Sequence, residues 1–131
     1  MIETEVLTIV NGTGDRPGDL NSLVDQFRDG RDSEDLLSLL RSENNELVRI
    51  GAWMTGEISF DRYNTPFFID RLRELTNHEI PAIRFHALKA LYPSLDPMQQ
   101  ETRDLIAKSR NDANEGVRLT AEAAAKTLGL E

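Results

Sequence analysis

Two histidines, no cysteine and a scatter of carboxylates are the inventory from which a catalytic or metal site could be drawn. His78 and His86 each lack a second His three or four residues away, the spacing that puts two ligands on one helix face and holds a zinc ion. Without a thiol there is no Cys nucleophile, no thiolate site and no disulfide framework. The stretch Asn11-Gly12-Thr13-Gly14-Asp15 has the glycines of a phosphate loop but not its Lys-Ser/Thr, nor the second half of a dinucleotide fingerprint, and reads as a turn. No Gly-x-Ser-x-Gly elbow presents a serine. The acids cluster at helix starts and on solvated faces, where the helix dipole already accounts for them. The expectation is a protein that is not an enzyme and needs no metal or cofactor.

Charge and length point to a binding role. The chain has 131 residues, 15 Lys and Arg against 23 Asp and Glu, and 39% apolar residues. That length favours one domain, which buries roughly two-thirds of the surface its unfolded chain exposes. Through residue 35 there are nine acids against Arg16, Arg28 and Arg31, so this quarter carries -6 of the formal charge of -8. Such a field repels phosphate backbones and attracts basic surfaces, which makes nucleic acid a poor partner and a basic protein a good one. The alternative is that a solvated acidic face only keeps the protein soluble. No apolar run approaches the roughly 20 residues that cross a bilayer, and the first ten residues carry acid where a signal peptide has a basic segment. A cytoplasmic protein with no membrane association is expected.

The elements that position these residues are helices. Asp19 to Asp29 carries Leu20, Leu23, Val24 and Phe27 at helical spacing and stops at Gly30. A second helix opens near Asp32 or Ser33, with Leu36, Leu37, Leu39 and Leu40 as a wide apolar face. A third runs from about Glu46 to Ile58, and Thr65-Pro66 starts a fourth through Leu75. A fifth runs from about Ile80 to Tyr92. Asp96-Pro97 repeats the cap-plus-proline device, with Gln99 three residues on as in a capping box, and starts a sixth that ends near Arg110. A seventh runs from about Asn114 to Leu128 before Gly129. The opening MIETEVLTIVNG reads as a strand, a short helix or an extended arm.

The helices come in pairs, and the second helix of each pair repeats. Val48-Arg49, Ile83-Arg84 and Val117-Arg118 recur at near-constant period, and an alanine follows each arginine by three: Ala52, Ala87 and Ala121. The branched residue and the small alanine point inward, where neighbouring helices approach closely, and the arginine caps the adjoining turn. One pair cannot bury its own apolar face, so about three stacked pairs are needed. With this turn-then-[Val/Ile]-Arg-x-x-Ala signature, residues 33–129 resemble the HEAT-like repeat family. The resemblance implies a single all-α domain, a short right-handed α-solenoid. Residues 1–32 form an N-terminal arm and capping helix, and three repeats span 33–58, 65–92 and 96–129. It also implies that Arg49, Arg84 and Arg118 form a structural ladder with Asp or Asn of the turns, in preference to an anion site. Pro81 departs from the pattern, standing where the other copies have Glu46 and Glu115, which only the first helical turn tolerates.

Trp53 is the sole tryptophan. At about 100° per residue it falls between Glu46, Arg49 and Glu57, opposite Leu47, Met54 and Ile58. Leu88 occupies the same repeat position and Tyr92 lies one turn further. If second helices line one wall, Trp53, Leu88 and Tyr92 form an apolar strip rimmed by Glu46 and Glu57, the composition of a protein-binding hot spot. Phe60 and Tyr63 add aromatics in a polar connector, and Asp29, Asp32, Glu34 and Asp35 add charge. Alternatively, Trp53 packs under the N-terminal segment or against the adjacent repeat, and Phe60 and Tyr63 plug a gap. Among bacterial proteins of this size and charge, the pattern is similar to a toxin-immunity protein that occludes a basic cognate toxin. A scaffold or adaptor without inhibitory role is the alternative, and a lyase-type repeat enzyme lies further off. A monomer or weak homodimer is expected.

Overall fold

The computed structural model describes residues 2–11, 20–58 and 66–130, and all regular structure in them is helical. Eight α-helices are described: α1 (Ile2–Asn11), α2 (Leu20–Arg28), α3 (Ser33–Leu40), α4 (Asn45–Glu57), α5 (Pro66–Leu75), α6 (Pro81–Leu91), α7 (Gln100–Arg110) and α8 (Glu115–Leu128). A 3-10 turn, Tyr92–Ser94, follows α6.

The opening segment is a helix. Ile2 and Val6, one turn apart, are buried, and α1 packs on α3 and α4. The Ser38 hydroxyl donates to Glu3, and Arg31 donates from both terminal nitrogens to Glu5. These contacts hold both carboxyls of α1 below their ordinary values, through the Ser38 bond and the Arg31 bond respectively. After α2 the chain reverses at Gly30, whose φ of 113° lies where a side chain is strained.

Side-chain caps set several helix starts. Asp32 accepts from the Glu34 amide at 3.0 Å, Asn44 from the Glu46 amide at 2.9 Å and Asn114 from the Val117 amide at 3.1 Å. Pro81 occupies the first turn of α6, where a missing N–H costs nothing. The expected start of α7 at Asp96-Pro97 is incorrect. The Asp96 carboxylate accepts from the Met98 amide at 2.9 Å and its carbonyl from the Gln99 amide at 3.1 Å, closing a separate turn. The helix therefore opens at Gln100, with Gln99 as an N-cap that makes no side-chain bond.

Helices α3 and α4, α5 and α6, and α7 and α8 pack as neighbours, while α4 also packs extensively on α6, and α6 on α8. The α3–α4 approach is close at Gly51, where a Cβ would stand 2.8 Å from the Leu39 Cβ. Val48, Ile83 and Val117 are buried, and Ala52, Ala87 and Ala121 are fully so, consistent with small residues where helices meet. The main core joins α1 through α6, and a second cluster joins Leu88 to Ile106, Val117 and the α8 alanines.

Candidate partner-binding surfaces

The repeated arginines are occupied by the fold. Arg84 donates from Nε and a terminal nitrogen to the two carboxylate oxygens of Asp112, each at 2.9 Å, and from its other terminal nitrogen to the carbonyls of His78 and Glu79. Asp112 also accepts from the Asn114 amide, and the Arg84 guanidinium holds its carboxyl below the ordinary range. Arg118 donates to the carbonyls of Asp112 and Ala113 at 2.8 and 3.0 Å. The expected pairing with a turn Asp or Asn side chain is made by Arg84; Arg118 reaches only backbone carbonyls, and Arg49 forms an ion pair with Glu46 one turn back in its own helix. One period before Asp112 stands His78, which has no carboxylate to offer, and the neighbouring Asn77 accepts from Lys108. His78 also serves its turn: Nδ1 accepts from the Ile80 amide at 3.0 Å.

The expected apolar strip is only partly accessible. Leu88 has no exposure and cannot touch a partner. Its register faces the following helix pair, so α7 and α8 cover it, while Glu122 at the same register of α8 is exposed. Trp53 is half-buried against the main core. Tyr92 is half-buried and bridges the two clusters. Phe60 and Tyr63 lie outside the described residues.

An accessible apolar surface lies between α6 and α8. A groove between α6 and α8 is lined by Phe85, Lys89 and Tyr92 on one side and Gly116, Leu119 and Ala123 on the other. The residue directly after each repeated arginine is apolar in all three copies: Ile50, Phe85 and Leu119. Ile50 is buried in the cluster that holds Ile2 and Val6, Phe85 is half-buried, and Leu119 is 62% exposed. That shared position was a signal available in the sequence.

Charge is segregated from this groove. Residues 1–58 hold 12 acids against five arginines, whereas residues 66–130 hold nine of each sign. Three of these arginines are engaged internally, Arg28 with Asp25, Arg31 with Glu5 and Asp35, and Arg49 with Glu46, while Arg41 is exposed and Arg16 lies outside the described residues. Asp29, Asp32, Glu34, Glu43 and Glu57 remain exposed, and Asp35, half-buried, is committed to Arg31. Glu46 is exposed but committed to Arg49.

His86 lies on the α6 flank near Arg49, Lys89 and Glu57. Burial, then the charges of Arg49 and Lys89, push its ring below the ordinary value, and its Nδ1 is buried without a hydrogen-bond partner. Among the described residues no group of three or more His, Asp or Glu is placed to hold a metal ion, and no helix is long and apolar enough to cross a membrane. No family model, no curated protein and no solved structure matches the chain.

Proposed function

We propose that the chain is a short HEAT-like α-solenoid that binds a basic protein through its acidic first half, and that this binding is inhibitory in the manner of a toxin-immunity protein. The stacking of α4 on α6 and α6 on α8, with Arg84 joining two successive turns, supports the repeat reading. The observation that carries the binding reading is the charge segregation. Internal ion pairs engage Arg28, Arg31 and Arg49 and leave Asp29, Asp32, Glu34, Glu43 and Glu57 to face solvent against the exposed Arg41, an acidic excess that steers a cationic surface toward that half. The inhibitory role rests on similarity of size and charge to immunity proteins. The α6–α8 groove in the neutral half favours a second reading, an adaptor whose contacts are mainly apolar.

Capture from host lysate with the tagged full chain, followed by association kinetics of the recovered protein at several salt concentrations, separates the two. The first reading expects one basic protein whose association rate falls steeply once the screening length drops below about 10 Å. It also expects loss of binding in Glu34→Lys/Glu43→Lys and relief of growth arrest on co-expression with that protein. A salt-indifferent partner, unaffected by the charge reversal and lost in Leu119→Asp, selects the adaptor.

A further inference from the structure

The exposed side of α8 carries a row of residues that is complementary to itself when reversed. Glu115, Leu119, Ala123 and Lys126 follow one another at single-turn spacing and all are exposed, Leu119 at 62%. Read in the opposite direction, the same row places Lys126 against Glu115 and Ala123 against Leu119. We propose that two copies pair α8 antiparallel about a two-fold axis midway between Leu119 and Ala123. Each Leu119 then seats on the partner helix at its small residue Ala123, and each Glu115 meets Lys126 of the other copy. This inference stands apart from the proposed function and needs no third protein.

Several features favour a second copy over another occupant. Glu115 and Lys126 are separated by 11 positions, roughly 16 Å along a helix, too far to pair within one chain. Among the described residues neither makes a side-chain hydrogen bond or ion pair. Glu122, beside the seam, is already neutralised by Arg110 at 3.0 Å. A two-fold contact requires a self-complementary patch, and this row has a large apolar residue opposite a small one and an acid opposite a base. Net charge also permits the contact: residues 66–130 are balanced, and α8 packs mainly on α6 and α7, while the acidic excess lies in residues 1–58. A seam along one 14-residue helix falls short of the roughly 800 Å² per partner of a standard interface. The dimer is therefore concentration-dependent, with a Kd of about micromolar or weaker.

Sedimentation equilibrium of the purified full chain, from about 1 to about 500 μM, tests this. The average mass is expected to rise from 14.8 kDa toward twice that value. Leu119→Asp, at an exposed site where folding is not at stake, should remain a monomer throughout. Glu115→Lys alone and Lys126→Glu alone should each weaken association by about five-fold or more, and the two together should restore it, because each new charge then meets its complement on the other copy. Thermal melts of all four variants verify that they fold. A mass that stays at 14.8 kDa overturns the proposal. So does a dimer indifferent to Leu119→Asp, or a double variant no better than the single ones.

Discussion

Arg84 and Asp112, 28 residues apart, are joined by two parallel hydrogen bonds of 2.9 Å that fasten the α5–α6 pair to the turn between α7 and α8. Both side chains are mostly shielded, at 17% and 14% exposure, and the remaining guanidinium donors hold the carbonyls of the arginine's own turn. The arginine thus acts as a staple with one arm in each pair.

Arg84→Met should cost about 2 kcal/mol, since it leaves a shielded carboxylate without its counter-charge and two turn carbonyls with fewer donors. Arg84→Lys should recover little, because an ammonium cannot form both bonds of the fork. Arg49→Met should stay within about 0.5 kcal/mol, its pairing with Glu46 being solvent-exposed and screened. Urea unfolding of the three variants decides the matter: equal losses at Arg49 and Arg84 would remove the distinction between staple and surface pair.

Trp53 and Leu88 should act as structural residues. Leu88→Ala empties a fully buried site between α6, α7 and α8 and should cost about 3 kcal/mol. Trp53→Ala, half-buried against the main core, should cost about 2 kcal/mol. The sole tryptophan also gives a direct readout, with emission shifted to shorter wavelength than that of the unfolded chain. If Trp53→Ala leaves the urea midpoint unchanged, its side chain is free and the core contact is not important.

These two residues show what the sequence made legible. The period located Val48, Ile83, Val117 and the three alanines, all buried, because an inward register is inward in every copy. It did not locate the outward face. The register of Trp53, Leu88 and Glu122 points to the next pair, so its burial depends on whether a described element follows: α7 and α8 cover Leu88, and nothing described covers Glu122. A helical wheel contains the angle of a side chain but not the neighbour it meets. The same limit applies to Asp96-Pro97, whose residues suit a helix cap and an isolated turn equally well, and to α1, whose β-branched residues concealed the one-turn spacing of Ile2 and Val6. Arg49 failed for a different reason, because its partner's identity is decided in the next repeat, where His78 stands in the place of Asp112.

Gly51 should not tolerate a methyl group. A Cβ there would lie 2.8 Å from the Leu39 Cβ and 3.4 Å from its carbonyl carbon, so the α3–α4 contact must open. Gly51→Ala should therefore destabilise by about 1–3 kcal/mol despite the higher helix propensity of alanine. Gly56→Ala, five residues on in the same helix, meets Ala90 only at 3.8 Å and serves as the matched control, expected to be neutral or stabilising. A gain at Gly51 would show that α3 shifts without cost.

His86 should make stability fall as the solution is acidified through the neutral range. Its folded value lies below the ordinary 6.5, because burial, Arg49 and Lys89 all disfavour the charged ring and Glu57 only partly offsets them. Above about pH 7.5 the ring is neutral in both states and contributes no pH dependence. As pH drops through 6.5 the unfolded chain takes up a proton that the folded chain refuses, so the unfolded state binds more protons and stability declines. The decline ends once pH passes below the folded value, where both states are charged. His86→Gln does not titrate, so its urea midpoint should change less than that of the parent between pH 7.5 and about pH 5.5. Parallel pH profiles for the two proteins would mean that the ring reaches water in the folded state. The carboxylates of Asp112, Glu5 and Glu3 cannot produce the same slope, since with lowered values their stabilising contribution is present above their ordinary range of 3.8 to 4.5 and is lost only as pH falls through that range.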